Sequence, residues 1–251
     1  MTALGRDEPD LLTAAAISVL EVSDSIGSRV EWVIATDGLE RQSISNHLAK
    51  LRITNHASID VVAAADRGES VGPGRARNIA LGRLKSSWML TLDGDDRLVG
   101  RGVAALLSAV QSNRQAMWAA GRCPHTDEHL QVTWPGPDDP FEPGPVRPGD
   151  FWDFKLRTGN LPFLCTATIA RTTAVRQVGG WPEIAWGRAE DTALWAVLTS
   201  KWSGIWVPEI VYLYRRHAAS LTRQEGFRQA DEHLTEISTM VVNGRTQDSP
   251  H

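Results

Sequence analysis

Ser87-Trp88-Met89-Leu90-Thr91-Leu92-Asp93-Gly94-Asp95-Asp96 is an apolar run that ends in three carboxylates. The run has the length and composition of a buried strand. Carboxylates just past the C-terminal end of a strand stand where open α/β sheets bind ligands. Such crowding is costly unless a cation or solvent relieves it. A divalent metal together with phosphate is the occupant this chemistry suits.

The surrounding chain alternates strands and helices. Strands are expected over 30–35 and 59–64, the first stopped by Thr36-Asp37-Gly38. Helices are expected over 11–22, capped by Asp10, and within 43–51, 75–84 and 103–111. This alternation predicts one Rossmann-like α/β domain with a mostly parallel central sheet flanked by helices. Beyond Ala116 the pattern changes. Short strands are expected over 117–120, paired with 130–134, then over 166–170 and 210–214, with helices over 172–178 and 190–202. Six prolines between Pro135 and Pro148 exclude a helix or central strand and predict a surface loop. Residues 1–222 therefore form the domain, and 223–251 an amphipathic helix over 224–242 with a frayed tail.

Bulk properties narrow the function. A length of 251 residues allows an ample core, and 22% charged with 42% apolar residues is ordinary for a soluble enzyme. A net charge of −4 argues against a non-specific nucleic-acid binder. No apolar stretch approaches the ~20 residues of a membrane span. Residues 1–8 are no signal peptide, so a cytoplasmic location is expected. Cys123 and Cys165 fit neither a disulfide framework nor a CxxC motif.

Asp93-Gly94-Asp95 offers the oxygen-only ligands that Mg²⁺ or Mn²⁺ takes alongside phosphates. The same residues fit a solvated turn and a helix N-cap. Gly72-Pro73-Gly74-Arg75-Ala76-Arg77-Asn78 leads from a loop into a helix whose free N–H groups, beside Arg75 and Arg77, suit a diphosphate. Alone, this segment reads as a surface turn with solvated arginines. Glu190-Asp191 reads alone as an acidic first helical turn. His125-Thr126-Asp127-Glu128-His129 falls where a hairpin turn is expected and reads as solvated.

Taken in order, Thr36-Asp37-Gly38, Gly74-Arg75-Ala76-Arg77-Asn78, Leu92-Asp93-Gly94-Asp95-Asp96, Gly179-Gly180-Trp181, Glu190-Asp191 and Tyr214-Arg215-Arg216-His217-Ala218-Ala219-Ser220 resemble the family 2 glycosyltransferases. The resemblance covers roughly residues 10–222 and implies the GT-A fold. It further implies a metal-dependent, inverting transfer of a sugar from a nucleotide-sugar donor, a UDP-sugar above all, to a hydroxyl acceptor. On this resemblance Asp37 and Arg77 would contact the nucleotide. Asp93 and Asp95 would form the metal-binding DxD pair, with Asp96 beside them. Asp191 would be the catalytic base and Glu190 its supporting carboxylate. Arg75 would approach the diphosphate, while Arg215, Arg216 and His217 would close over it, His217 completing the shell of Mg²⁺ or Mn²⁺.

The chain departs from that pattern at two places. Thr36 stands where the family has an acidic residue. Met1–Pro9 is polar where an apolar opening strand is usual, so a truncated first strand is expected. The Ala- and Arg-rich composition suggests a GC-rich bacterial source. A nucleotidyltransferase and a non-catalytic sugar- or nucleotide-binding module are the rival readings. Trp152, Trp181 and Trp186 flank the expected acceptor side, where rings could stack on sugars, but burial is the better single reading of each.

Overall fold

The computed structural model describes residues 1–5, 9–53, 56–136, 138–183, 189–217 and 233–246. An opening strand, β1 (Thr2–Leu4), precedes α1 (Pro9–Ile26), β2 (Val30–Asp37), α2 (Arg41–Lys50), β3 (Ala57–Ala65) and α3 (Pro73–Arg83). β1 and β3 flank β2, all parallel. The opening strand is therefore present, only three residues long and paired from Thr2↔Ile34 to Leu4↔Thr36. So short a run is beyond the reach of a periodicity argument. The backbone N of Met1 donates to Leu90 O at 2.8 Å, and Leu92 N–H donates to Met1 O at 2.9 Å. Those two bonds join this sheet to the run that leads into the acidic turn.

The second half comprises β4 (Trp88–Met89), β5 (Arg97–Leu98), α4 (Gly100–Ser112), β6 (Trp118–Arg122), β7 (His125–Thr126), β8 (Val132–Trp134), β9 (Gly144–Val146), α5 (Asp150–Thr158), β10 (Thr168–Arg171), α6 (Thr172–Gln177), α7 (Glu190–Lys201), β11 (Gly204–Ile210), β12 (Tyr212–Arg215) and α8 (Leu234–Thr246). Its main sheet has the order β4-β10-β6-β11-β9. β10 is antiparallel to both neighbours, β11 is parallel to β6, and β9 closes the edge antiparallel to β11. The sheet is thus parallel in its first half and mixed in its second.

Three expectations need correcting here. Residues 132–134 pair with β7, not with 118–122, because both edges of β6 are taken by β10 and β11. The proline-rich stretch also contains a strand, β9, at the sheet edge, where the missing N–H of Pro145 is tolerated. Residues 243–246 continue α8 where fraying was expected, while 224–232 and 247–251 lie outside the described residues.

Alternation along β2 separates two apolar layers. Val33 and Ala35 pack with α3, α5, α7 and α8, whereas Trp32 and Ile34 pack with α1, α2 and α4. Phe163 sits at the hub of the first layer, with its ring 5.0 Å from Phe151, 5.5 Å from Trp118 and 6.3 Å from Trp206. Each large side chain so buried contributes about 1.5–3 kcal/mol. These layers absorb Trp32, Trp118, Trp152, Trp181, Trp195 and Trp206. A separate small sheet, β5-β12-β7-β8, packs beside the acidic turn. No helix among the described residues is long and apolar enough to cross a membrane.

Candidate active site

β2 ends at Asp37, whose carboxylate accepts hydrogen bonds from Ser70 Oγ (2.7 Å), Val71 N–H (2.7 Å) and Gly72 N–H (3.0 Å). Asp37 is buried, so it fixes the loop ahead of α3. Pro73 opens that helix, its missing N–H costing nothing there. Two positions along a helix differ by about 200°. Arg75 accordingly faces solvent while Arg77 turns inward.

Arg77 is the centre of the site. Its side chain is only 7% exposed. Nη2 donates to Asp93 Oδ1 at 3.0 Å. Nη1 lies 3.1 Å from both oxygens of Asp191 and 3.5 Å from Glu190 Oε1. One guanidinium thus joins the acidic turn after β4 to the first turn of α7, about a hundred residues on. Burial opposes its charge, but Asp191, Asp93 and Glu190 outweigh burial and raise its pKa. Its Nε is buried and makes no hydrogen bond.

Glu190 and Asp191 differ sharply. The Glu190 side chain is 7% exposed and the Asp191 side chain 32%. Burial, and then the charge of Asp191, push the Glu190 carboxyl up to about 7 despite Arg77. Asp191 also accepts a hydrogen bond from Trp181 Nε1 at 2.6 Å. Trp181 is itself clamped at both backbone polar groups by the amide of Asn78. Its N–H donates to Asn78 Oδ1 at 2.8 Å, and Asn78 Nδ2 donates to its carbonyl at 2.7 Å. Gly180 has φ +73°, and a Cβ there would stand 2.3 Å from Asn78 Oδ1, so this contact requires glycine.

The other end of the site is built on β12. Asp95 Oδ2 lies 2.8 Å from His217 Nε2. Burial, then Asp93, raise the Asp95 pKa against the lowering effect of His217. Asp93 N–H donates to Tyr212 Oη at 2.9 Å, and Arg215 N–H donates to Asp96 Oδ1 at 2.7 Å. Arg215 is buried, whereas Arg216 is exposed and bonds Thr126 O through its N–H. Among the described residues no three metal-ligating side chains come together. Asp95 and His217 nonetheless offer one oxygen and one nitrogen side by side. With a nitrogen among the ligands, that set suits Mn²⁺ better than Mg²⁺, which keeps to oxygen, the remaining positions being filled by phosphate and water.

The structure therefore brings Asp93, Glu190, Asp191 and Arg77 together, and places Asp95, Asp96, Arg215 and His217 beside them. Arg75 and Arg216 point to solvent, and Asp37 is occupied by its own loop. Ala218, Ala219, Ser220 and Trp186 lie outside the described residues. Asn78, Trp181 and Tyr212 carry site contacts that the sequence did not assign. For Asn78 a signal existed, since it sits beside Arg77 in a quoted motif. Tyr212 reaches Asp93 from 119 residues away and left no local trace.

No family model and no curated protein matches the sequence. Solved structures do match it. TarS 1-349 from S. aureus in complex with UDP superposes with a TM-score of 0.66 at 14% identity, covering 97% of this chain and 64% of that one. Its complex with UDP-GlcNAc gives 0.63 at 13% identity, over 99% of this chain and 72% of that one. The mannosyltransferase PcManGT from Pyrobaculum calidifontis, in complex with GDP-Man and Mn²⁺, gives 0.58 at 14% identity, over 99% and 64%. This chain thus spans less than two thirds of two of those three structures. Identities this low speak for architecture alone, and that architecture is the GT-A fold.

Proposed function

We propose that this protein is a glycosyltransferase that moves a sugar from a nucleotide-sugar, a UDP-sugar in the first instance, to a hydroxyl of a small-molecule or glycan acceptor. The observation that carries the reading is the Arg77 guanidinium, bonded at once to Asp93 and Asp191. It ties the acidic turn to the start of α7. The neighbours solved with UDP, UDP-GlcNAc and GDP-Man support the donor class.

Asp191 is the group we assign as base. Of the three carboxylates on Arg77 it is the most exposed, and its orientation is fixed by Arg77 and Trp181. It accepts the proton of the acceptor hydroxyl as oxygen attacks the anomeric carbon, which suits a direct, inverting displacement. Glu190, buried and with its pKa near 7, limits the negative charge beside Asp191. Asp95 and His217 would hold a divalent ion, which when bound neutralises the departing diphosphate. On this reading Arg215 and the loop fixed by Asp37 would face the donor.

Incubation with UDP-GlcNAc, UDP-glucose and GDP-mannose, with and without Mn²⁺, tests the reading. Release of the nucleoside diphosphate, accelerated by Mn²⁺, is the expected outcome. Stabilisation by a donor without turnover would point to a binding module, and release of pyrophosphate to a nucleotidyltransferase.

A further inference from the structure

We propose that Asp96 is a positioning residue that sets the Asp95–His217 pair by acting as an extra rung of the β5–β12 ladder. β5 pairs with β12 through Tyr212↔Leu98 and Leu213↔Arg97. Immediately before β5, the Asp96 side chain takes the place of a backbone carbonyl. Its Oδ1 accepts the N–H of Arg215 at 2.7 Å and so extends the pairing to the last residue of β12. On the same strand the Tyr212 hydroxyl accepts the Asp93 N–H at 2.9 Å. The acidic turn is thus tied to β12 at both ends of the strand.

The consequence is a small closed ring. Asp95 and Asp96 are adjacent, Asp96 holds Arg215, and two residues later His217 Nε2 reaches Asp95 Oδ2 at 2.8 Å. Opening the Asp96 contact removes the bond that ties the acidic turn to the residue two before His217, while β12 keeps its pairing with β7 and the Arg216 N–H bond to Thr126 O on its other side. The burial of Asp96 supports a positioning role over a stabilising one. The residue is 1% exposed, and its Oδ2 makes no hydrogen bond of good geometry, with the Tyr212 hydroxyl as the polar group beside it. A buried carboxyl with an unsatisfied oxygen costs stability, and an apolar side chain of similar size would avoid that cost. What the apolar side chain would lose is the acceptor for Arg215.

The metal part of this proposal rests on the function proposed above; the rung does not. Mn²⁺ titration of the full chain by electron paramagnetic resonance, combined with amide hydrogen exchange, tests both. Asp96→Asn retains the Oδ1 acceptor and is expected to bind Mn²⁺ like the wild type. Asp96→Ala is expected to weaken Mn²⁺ binding by about tenfold or more, as for other partners that orient ligands. It should also speed exchange of the Arg215 amide beyond what Leu48→Ala, a core change in α2, produces. Asp96→Ala with wild-type Mn²⁺ affinity would overturn the positioning role, and Arg215 exchange no faster than in Leu48→Ala would overturn the rung. If the wild type binds no Mn²⁺, the metal reading of the function fails and the exchange data alone decide the rung. If Asp96→Ala does not fold, the wild-type chain decides it. The Arg215 amide must then exchange as slowly as that of Val211, which is bonded to Arg122 O. Faster exchange refutes the rung.

Discussion

The two ends of the acidic site are built differently. At the α7 end, Asp191 is held by three contacts from two side chains, and Arg77 is shared among three carboxylates. At the β12 end, His217 Nε2 meets Asp95 Oδ2 at 2.8 Å, while Asp93 turns towards Arg77. The first end is complete in the protein alone. The second sets one oxygen and one nitrogen side by side, the pair that the proposed function assigns to a metal ion. A proton acceptor gains from being fixed in advance, whereas a metal that arrives with its substrate needs only a partial set of protein ligands.

That contrast can be broken most directly at Asp191. Asp191→Asn keeps the shape and removes the proton acceptor, so turnover should fall by about 10²–10⁴-fold while donor affinity measured by calorimetry stays the same. Normal turnover would assign the proton to another group. Arg77→Ala should strike stability, because three carboxylates lose their shared counter-ion. Chemical denaturation should show a loss of about 3 kcal/mol, and Arg77→Lys should not restore it, since an ammonium cannot span both sides of the cleft. A stable Arg77→Ala chain would mean that solvent replaces the guanidinium at little cost.

At the other end the effects should depend on the ion. Asp95→Asn is expected to abolish the Mn²⁺-dependent part of donor binding and to leave the melting temperature without metal almost unchanged. Equal Mn²⁺ dependence in the variant and the wild type would remove Asp95 from the metal site. The smallest effect is one of pH. Glu190 has its folded pKa raised from 4.5 to about 7 by burial and Asp191. The contribution of such a group is full below its unfolded value and is lost as pH rises through the folded one. Arg77 on α3, Asp191 on α7 and Asp93 on the acidic turn are the charges that face it. Glu190→Gln should therefore gain on the wild type between pH 5 and pH 8, by on the order of 2–4 °C in melting temperature. A difference that stays flat over this range would show that Glu190 remains ionised throughout.

The sequence made some of this legible and hid the rest for identifiable reasons. β2, β3 and α4 were readable from their apolar runs and period, whereas α3 was marked by the glycine-rich loop that leads into it and α7 by its acidic first turn. β1 and β9 were not, since three residues carry no period and β9 sits among prolines. The two acidic motifs could be named as chemistry, yet only the fold shows that Arg77 joins them. On α3, Arg75 and Arg77 looked equivalent as letters, and helical geometry gave them opposite surroundings. Asp96 read as a neighbour of the DxD pair, because its partner is a backbone N–H that no side-chain pattern records. Asp37 read as a ligand contact, and the structure shows its carboxylate tied to the loop at residues 70–72, bonds that left no trace in the sequence.

Trp181 has a practical consequence. Its indole N–H rests on an oxygen of Asp191, so the emission of that ring is coupled to the charge of the carboxylate. The sequence contains ten tryptophans, but a difference spectrum against Trp181→Phe would isolate this one. The molecule thereby carries its own optical gauge of the carboxylate at its centre, readable without label or substrate turnover.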